Sequence, residues 1–210
     1  MDVLNLDRTD PRYPPTLKTF LRDDAPAQIA ALGNLALLAS PRLALFSSIR
    51  CPGNLILQTY DLAQNLRRQG ITVIGGFHAP MERETLAILL RGKQGVILCP
   101  ARNIGAKIAR AYAEPLAQGR LLILSPFSDK PTRITAETSV ARNRFVAALA
   151  DAVFIAHAEP RGKLETLCRE VIAWGKPLYT FDDTANAHLI ALGGRVTLPS
   201  FPMPLTKQMP

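Results

Sequence analysis

A chain of 210 residues holds one full-sized domain with a substantial core, and 48% hydrophobic with 20% charged residues is the composition of a globular protein, not of a disordered or membrane-embedded one. Its formal charge of +8 favours polyanionic partners, with the basic residues spread along the chain and not gathered in a tail. Cys51, Cys99 and Cys168 are odd in number and lack CxxC spacing, which argues against a disulfide framework or a zinc site. No apolar run reaches bilayer length, and the first eight residues have neither a basic n-region nor an apolar h-region, so a cytoplasmic protein is expected.

Residues 1–40 contain Asp10-Pro11-Arg12-Tyr13-Pro14-Pro15-Thr16-Leu17, an alanine-rich apolar stretch and Gly33-Asn34. The prolines fix an extended or turn-like start, which predicts a lead-in packed on the main domain without a core of its own. From Arg42 onward, short apolar runs alternate with amphipathic segments. That pattern predicts an α/β fold over residues 41–198, a doubly wound, mostly parallel sheet with helices on both faces, of extended Rossmann-like type.

The first strand of this domain is read at 43–47, followed by Ser48-Ile49-Arg50-Cys51-Pro52-Gly53. Asn54 is expected to cap a helix whose apolar face carries Leu55, Leu62 and Leu66 and which stops at Gly70. A second strand, 71–74, runs into Gly75-Gly76-Phe77-His78-Ala79-Pro80, and Pro80 suits a first helical turn with Glu82 and Glu84 close behind. A third strand, 95–99, ends at Pro100-Ala101-Arg102; a basic helix is expected over about 103–116, then a fourth strand at 121–125. Residues 142–166 read as the second half of a helix, a tight turn at Asp151, a buried strand at 152–156 and a Gly/Lys loop. A helix over 163–174, stopped by Gly175, leads to a strand at 177–181, a short helix at 185–192, a Gly193-Gly194 turn and an extended 195–198. The Pro-rich tail, 199–210, is expected to be disordered.

Ligands of open α/β sheets sit beyond the carboxyl ends of the strands. The loops at those ends gather Ser47, Ser48 and Arg50; Gly75, Gly76, Phe77 and His78; Arg102; Ser125; and Arg161, Gly162 and Lys163. Small residues let N–H groups approach a phosphate, hydroxyls add donors and cations add charge, so this rim suits a phosphorylated ligand or a nucleic-acid backbone. The GxGxxG fingerprint and the Walker A sequence are both missing, so neither NAD nor ATP is expected, and no cofactor or metal is predicted. Gly75-Gly76 is equally readable as a plain strand-to-helix turn. Glu82, closest to the Gly-rich loop, is the candidate pocket carboxylate, although a helix start attracts acids for electrostatic reasons alone. His78 and His157 have nothing nearby to complete a triad. Arg142 and Arg144 project about 200° apart on a helix, so they are expected to serve different partners, one the pocket and the other a salt bridge or subunit contact. Phe145 and Trp174 read as core, whereas Phe77 and Phe127 are candidates for base stacking.

Tyr13-Pro14-x-x-Leu17, Gly33-Asn34, a strand ending in Ser-Ser-x-Arg, a Gly-rich second loop, Arg142-Asn143-Arg144 with the strand after it, and Gly162-x-Leu164-x-Thr166 together resemble the DNA processing protein family DprA, also called Smf. The resemblance covers nearly the whole chain. It implies an extended Rossmann-like fold, a homodimer, single-stranded DNA binding, and loading of a RecA-type recombinase during natural transformation. It also implies that Arg50, Gly75, Gly76 and Lys163 form the DNA-backbone site and that residues 142–144 are the family's Arg-Asn-Arg. The family's usual Ser-Gly-x-Ala-x-Gly-Ile-Asp loop is replaced by Gly75 to Glu82, and Leu86 stands where a histidine is usual. Arg161-Gly162-Lys163 replaces a Ser-Gly-Ser, and the length leaves no room for an added helical or winged-helix domain, so a compact, divergent branch is expected.

Two alternatives compete with a non-enzymatic DNA binder. One is a nucleotide-sensing domain. The other is a phosphoribohydrolase of the LOG type, which uses a Pro-Gly-Gly-x-Gly-Thr-x-x-Glu loop; aligning Gly162 with its second glycine puts Leu164, Glu165 and Cys168 at the Gly, Thr and Glu positions, so the catalytic carboxylate is missing.

Overall fold

The computed structural model describes residues 2–105, 108–128 and 133–200. Within them, one sheet contains β1 (Leu4–Asp7), β2 (Gln28–Gly33), β3 (Arg42–Ser47), β4 (Thr72–Gly75), β5 (Val96–Leu98), β6 (Leu121–Ser125), β7 (Ala152–His157), β8 (Leu178–Thr180) and β9 (Arg195–Val196). Their spatial order is β1-β2-β6-β5-β4-β3-β7-β8-β9. Only the β1–β2 and β2–β6 pairs are antiparallel; all other neighbours are parallel.

Alternate side chains of the central strands enter two separate cores, as period-two geometry requires. Ala44, Phe46, Val153 and Ile155 face one cluster, and Leu43, Leu45, Phe154 and Ala156 face the other. The first face is covered by α1 (Pro15–Leu21), α5 (Ala136–Leu149), α6 (Lys163–Ala173) and α7 (Ala187–Ala191), through Leu17, Phe145, Val171 and Leu189. The second is covered by α2 (Gly53–Gln69), α3 (Pro80–Leu89) and α4 (Arg110–Ala117), through Leu55, Leu62, Leu66, Leu86 and Leu89, with Leu116 partly buried beside them. Burial on both faces explains why these strands read as continuous apolar runs.

Residues 1–40 carry more structure than was read from them. β1 and β2 extend the sheet, and Leu6, Tyr13, Leu17, Leu21 and Ile29 belong to the same cluster as Phe145 and Val146. The Tyr13 hydroxyl donates to the Pro26 carbonyl at 2.6 Å, tying the proline-rich turn to the start of β2. No strand was legible in Ile29-Ala30-Ala31-Leu32 because alanine is depleted in strands and the run does not alternate.

Two helix starts differ from expectation. Asn54 does not cap α2: the helix begins two residues earlier, at Gly53 with Pro52 at the N-cap, and the Asn54 amide donates to Asp183 at 2.5 Å. The basic helix expected from 103 begins at Arg110, and residues 103–105 form a loop, consistent with the low helix propensity of Asn103 and Gly105. Of the tail, Pro199 accepts a bond from the Asn65 amide at 3.1 Å, and residues 201–210 lie outside the described residues.

Three buried charged groups lock the junction of α5, β7 and β3. The Asp151 carboxylate accepts from the Arg42 backbone N–H at 2.8 Å and pairs with its guanidinium at 3.4 Å, both side chains more than nine-tenths buried. The Lys176 ammonium donates to the carbonyls of Ala147, Ala148 and Ala150 at 2.7–2.8 Å and sits 3.9 Å from the Phe20 ring centroid. It thereby closes the C-terminus of α5, where carbonyls lack helical partners and a cation opposes the dipole.

Asp151→Ala strands the Arg42 guanidinium in the core, so urea unfolding should show a loss of about 3–5 kcal/mol; a loss below 1 kcal/mol would contradict the lock. Burial pulls the Lys176 ammonium down to about 7, Arg42 acting in the same direction and Asp151 against it. With the folded value below the unfolded one, the unfolded chain binds more protons between about pH 7 and 10, and stability from this group rises with pH. The stability advantage of the parent over Lys176→Met should therefore widen between pH 7 and 9 in thermal melts. A constant difference would show that Lys176 stays charged throughout.

Candidate functional site

The strand order reverses between β3 and β7, since the chain passes from β3 to β4 on one side and returns through β7 on the other. Such a switch leaves a crevice beyond the carboxyl ends of the two strands. Here it is a cleft of about 540 Å³. Ala79, Thr135 and Gly162 line it, and they are the N-caps of α3, α5 and α6. Each helix start contributes roughly half a positive charge at this point, so the cleft favours an anion before any side chain is counted.

Its inner wall is built around Glu82. The chain register shifts between Phe46 and Ser47, which takes the Ser47 N–H out of the β3–β7 ladder. That N–H donates to the Glu82 carboxylate at 3.0 Å, and the N–H groups of His78 and Ala79 donate to its other oxygen at 2.8 and 3.3 Å. Glu82 thus ties the end of β3 to the loop after β4. Burial pushes its carboxyl upward, while the Arg142 charge and the three N–H donors pull the other way. On the far side of the crevice, Ser48 donates from its N–H to the His157 carbonyl at 2.8 Å and accepts the Glu159 N–H on its hydroxyl at 3.0 Å.

Arg142 lies under the cleft, 3% exposed, donating to the Cys99 carbonyl at 3.0 Å and to Asn143 at 2.8 Å. Its guanidinium rests on the bare backbone of Gly76, where a Cβ would fall 1.3 Å from a guanidinium nitrogen. Gly76 is therefore required by close approach. The next residue, Phe77, takes a φ of +47°, a left-handed conformation that costs a bulky residue about 1–3 kcal/mol. That turn drives its ring into the core, against Gly75. Arg161 is left-handed too, at φ +62°, and its N–H donates to Glu165 at 2.7 Å, which shapes the loop before α6.

The structure brings together Ser47, Ser48, His78, Glu82, Arg142, Gly162 and Lys163 around one cleft, with Gly76 behind Arg142. Arg50 is exposed and lines a neighbouring lobe of about 580 Å³, which shares Ile49 and Glu159 with the cleft. Arg161 is exposed at the cleft's edge beside Gly162. Of the two α5 arginines, Arg144 is the one that takes the salt bridge, pairing with Glu170 at 2.6 Å and Asp24 at 2.8 Å, because its position on α5 turns it away from Arg142 and out of the candidate site. Three further expectations are corrected. Phe77 is 4% exposed and cannot stack on a base. Gly75 is packed under the Phe77 ring, and Arg102, though exposed, lies outside the cleft with its carbonyl held by the Ser125 hydroxyl at 2.8 Å. His157 is buried and shares a 3.0 Å hydrogen bond with Asn186, and Cys168, at the position of the hydrolase carboxylate, is a buried thiol pushed up to about 12 by burial.

Several cleft residues were not singled out in sequence. Ile134, Thr135, Ser139 and Val140 come from the start and first turns of α5, while Asn143 belongs to the Arg-Asn-Arg run already named. The one available signal was Thr135 three residues before Thr138, whose side chains exchange bonds with each other's backbone N–H groups at 3.2 and 2.9 Å. Among the described residues, no cluster of three or more His, Cys, Asp or Glu side chains is placed to hold a metal, and no helix is long and apolar enough to cross a membrane.

Gly76→Ala should displace the Arg142 guanidinium and cost about 2–3 kcal/mol in urea unfolding, the worth of hydrogen bonds to a charged group. In an Arg142→Ala background the same change should cost under 1 kcal/mol; equal costs in both backgrounds would refute the contact.

The fold has known counterparts. Over 95% of this chain and 72% of the other, it superimposes on DNA processing protein A from Streptococcus pneumoniae with a TM-score of 0.79 and 20% identity. The Helicobacter pylori protein of the same name matches over 93% and 90% of the two chains, with a TM-score of 0.73 and 20% identity. The molybdenum cofactor carrier protein from Chlamydomonas reinhardtii matches more distantly, at TM-score 0.52 and 10% identity over 77% and 92%. At these identities the likenesses establish the nine-stranded α/β, Rossmann-like fold. Among curated proteins, none matches by sequence. The profile of one sequence family matches residues 5–196, from β1 to β9, and so this chain belongs to the DNA recombination-mediator protein A family.

Proposed function

We propose that this protein is a non-enzymatic single-stranded DNA-binding protein of DNA processing and recombination, with the strand lying across the cleft at the β3–β7 switch. The observation that carries the reading is the convergence of three helix N-termini on one crevice beside Lys163 and the buried Arg142. Phosphates suit such a site in charge and in donor geometry. The Helicobacter pylori relative binds single-stranded DNA, and family membership carries the same expectation to this chain.

Bases need apolar surface, and aromatic residues are only 6% of the chain. The cleft instead offers three exposed aliphatic side chains, Ile49, Ile134 and Val140, beside its polar wall. A strand whose phosphates face Ser48, Gly162 and Lys163, with Arg50 and Arg161 at the edges, lays its bases on that aliphatic surface with little sequence preference. Glu159 stands exposed in the same rim and opposes a phosphate. The further steps implied by the family, a cytoplasmic homodimer that passes its strand to a RecA-type recombinase during natural transformation, belong to this same proposal.

Fluorescence anisotropy with a labelled single-stranded oligonucleotide across a salt series tests it. Arg50→Ala and Lys163→Ala should each weaken binding and lower the salt slope by about 0.7, the value for one phosphate contact on a single strand. Glu159→Gln should tighten binding a few-fold at low salt by removing the opposing charge. A folded parent that binds no oligonucleotide at low salt would overturn the proposal, and saturation by a mononucleotide with little salt dependence would favour a nucleotide sensor in its place.

A further inference from the structure

The opposite end of the sheet carries a second groove, of about 570 Å³. Thr72, the first residue of β4, lines it, whereas Gly75 at the other end of that strand leads into the cleft loop. The three-residue rise between them is about 10 Å, so the two sites occupy opposite poles of the molecule. Arg67 and Arg68 enter the groove from the last turn of α2, Arg91 from the turn after α3, and Lys93 from the loop before β5.

Neutralisation of the helix ends does not account for these cations. α2 and α3 both finish near the groove, and their C-termini together present about one negative charge. Four cations face it, no Asp or Glu lines it, and none of the four makes an ion pair among the described residues. A surplus of about three positive charges remains.

A second observation is independent of charge. Gln94 is 3% exposed and lines the groove; its amide donates to the Leu89 carbonyl at 2.7 Å, yet its side-chain oxygen has no partner among the described residues. Native structures rarely leave a buried acceptor unpaired, and a bound group with an N–H or O–H would complete it. Gly92 lets that oxygen and the Arg67 stem pack on its bare backbone, since a Cβ there would fall 2.1 Å from the oxygen and 2.2 Å from Arg67 Cγ. The Ser40 and Thr72 side chains complete a small, polar lining.

We propose that this groove is a second contact for the backbone of a single-stranded nucleic acid, distinct from the cleft. A phosphodiester chain presents negative charges at a repeat that several cations meet at once, and its bases carry the N–H donors that the Gln94 oxygen lacks. One strand long enough to reach both poles would be held at two points, passing outside α2 and α3, which cover the sheet between them. The groove does not depend on the cleft being a DNA site, so each can stand or fall alone.

The test is binding of 6-nucleotide and 40-nucleotide single strands across a salt series to three proteins: the parent, Arg68→Ala/Arg91→Ala/Lys93→Ala, and Arg50→Ala/Lys163→Ala. The three groove positions are exposed, so that variant should melt with the parent. It should bind the 40-mer at least tenfold more weakly, with a salt slope lower by about 2, from roughly 0.7 per phosphate contact, and bind the 6-mer within twofold of the parent. Unchanged 40-mer affinity and slope would overturn the groove while leaving the cleft reading intact. Loss of binding in the groove variant alone, with none in the cleft variant, would uphold the groove and overturn the cleft. Absence of all binding by the parent would overturn both. Polyglutamate displacing the 40-mer from the cleft variant as well as polyphosphate does at equal charge would assign the groove to an acidic peptide and not to nucleic acid.

Discussion

The pairing of β3 with β7 is the constraint on which everything else hangs. These two strands are far apart in sequence, they sit side by side in the interior of the sheet, and the crevice exists only because the chain turns opposite ways from them. At one end, the buried Asp151 carboxylate holds the first residue of β3 through both its N–H and its guanidinium. At the other, the ladder breaks at Ser47 and is resumed by the Ser48 N–H on the His157 carbonyl. A lock at the closed end and a break at the open end together place a rigid, donor-rich rim where ligands of such sheets bind.

The rim is costly to build. A carboxylate and a guanidinium are buried within one wall, and Phe77 and Arg161 adopt backbone conformations that favour glycine. Such features persist when the surroundings over-determine them. Here the surroundings are identifiable: Glu82 accepts three N–H groups, Arg142 seats on Gly76, and Glu165 accepts the Arg161 N–H. Each strained or charged group is satisfied by another member of the same wall, so the loops hold their shape without a ligand. Preorganisation of this kind lowers the ordering cost that binding would otherwise carry.

The distribution of cations follows a related logic. Arg42, Arg142 and Arg144 are spent on structure, through Asp151, the Cys99 carbonyl and the Asp24–Glu170 pair. Arg50, Lys163, Arg67, Arg68, Arg91 and Lys93 make no ion pair among the described residues, and they stand at the two poles of the sheet. The net charge of +8 therefore has a direction that composition does not show.

The apolar runs, the glycine stops and the proline starts were enough to determine the parallel core from β3 to β8, because each is a local effect of burial period or backbone freedom. They also placed Ser47, Ser48, Gly162 and Lys163 at strand ends, and the helical period alone separated Arg142 from Arg144. Tertiary structure decided which arginine faces the cleft, that Glu82 gathers three N–H donors from two loops, that Phe77 turns inward, and that residues 1–40 supply two strands. It also brought Arg67 and Arg68 into one groove with Arg91 and Lys93, more than twenty residues away in sequence. The physical reason is the same in each case: a local pattern reports what one segment prefers, whereas a buried charge, a bare glycine or a cluster of cations is defined by the neighbour that another segment brings to it.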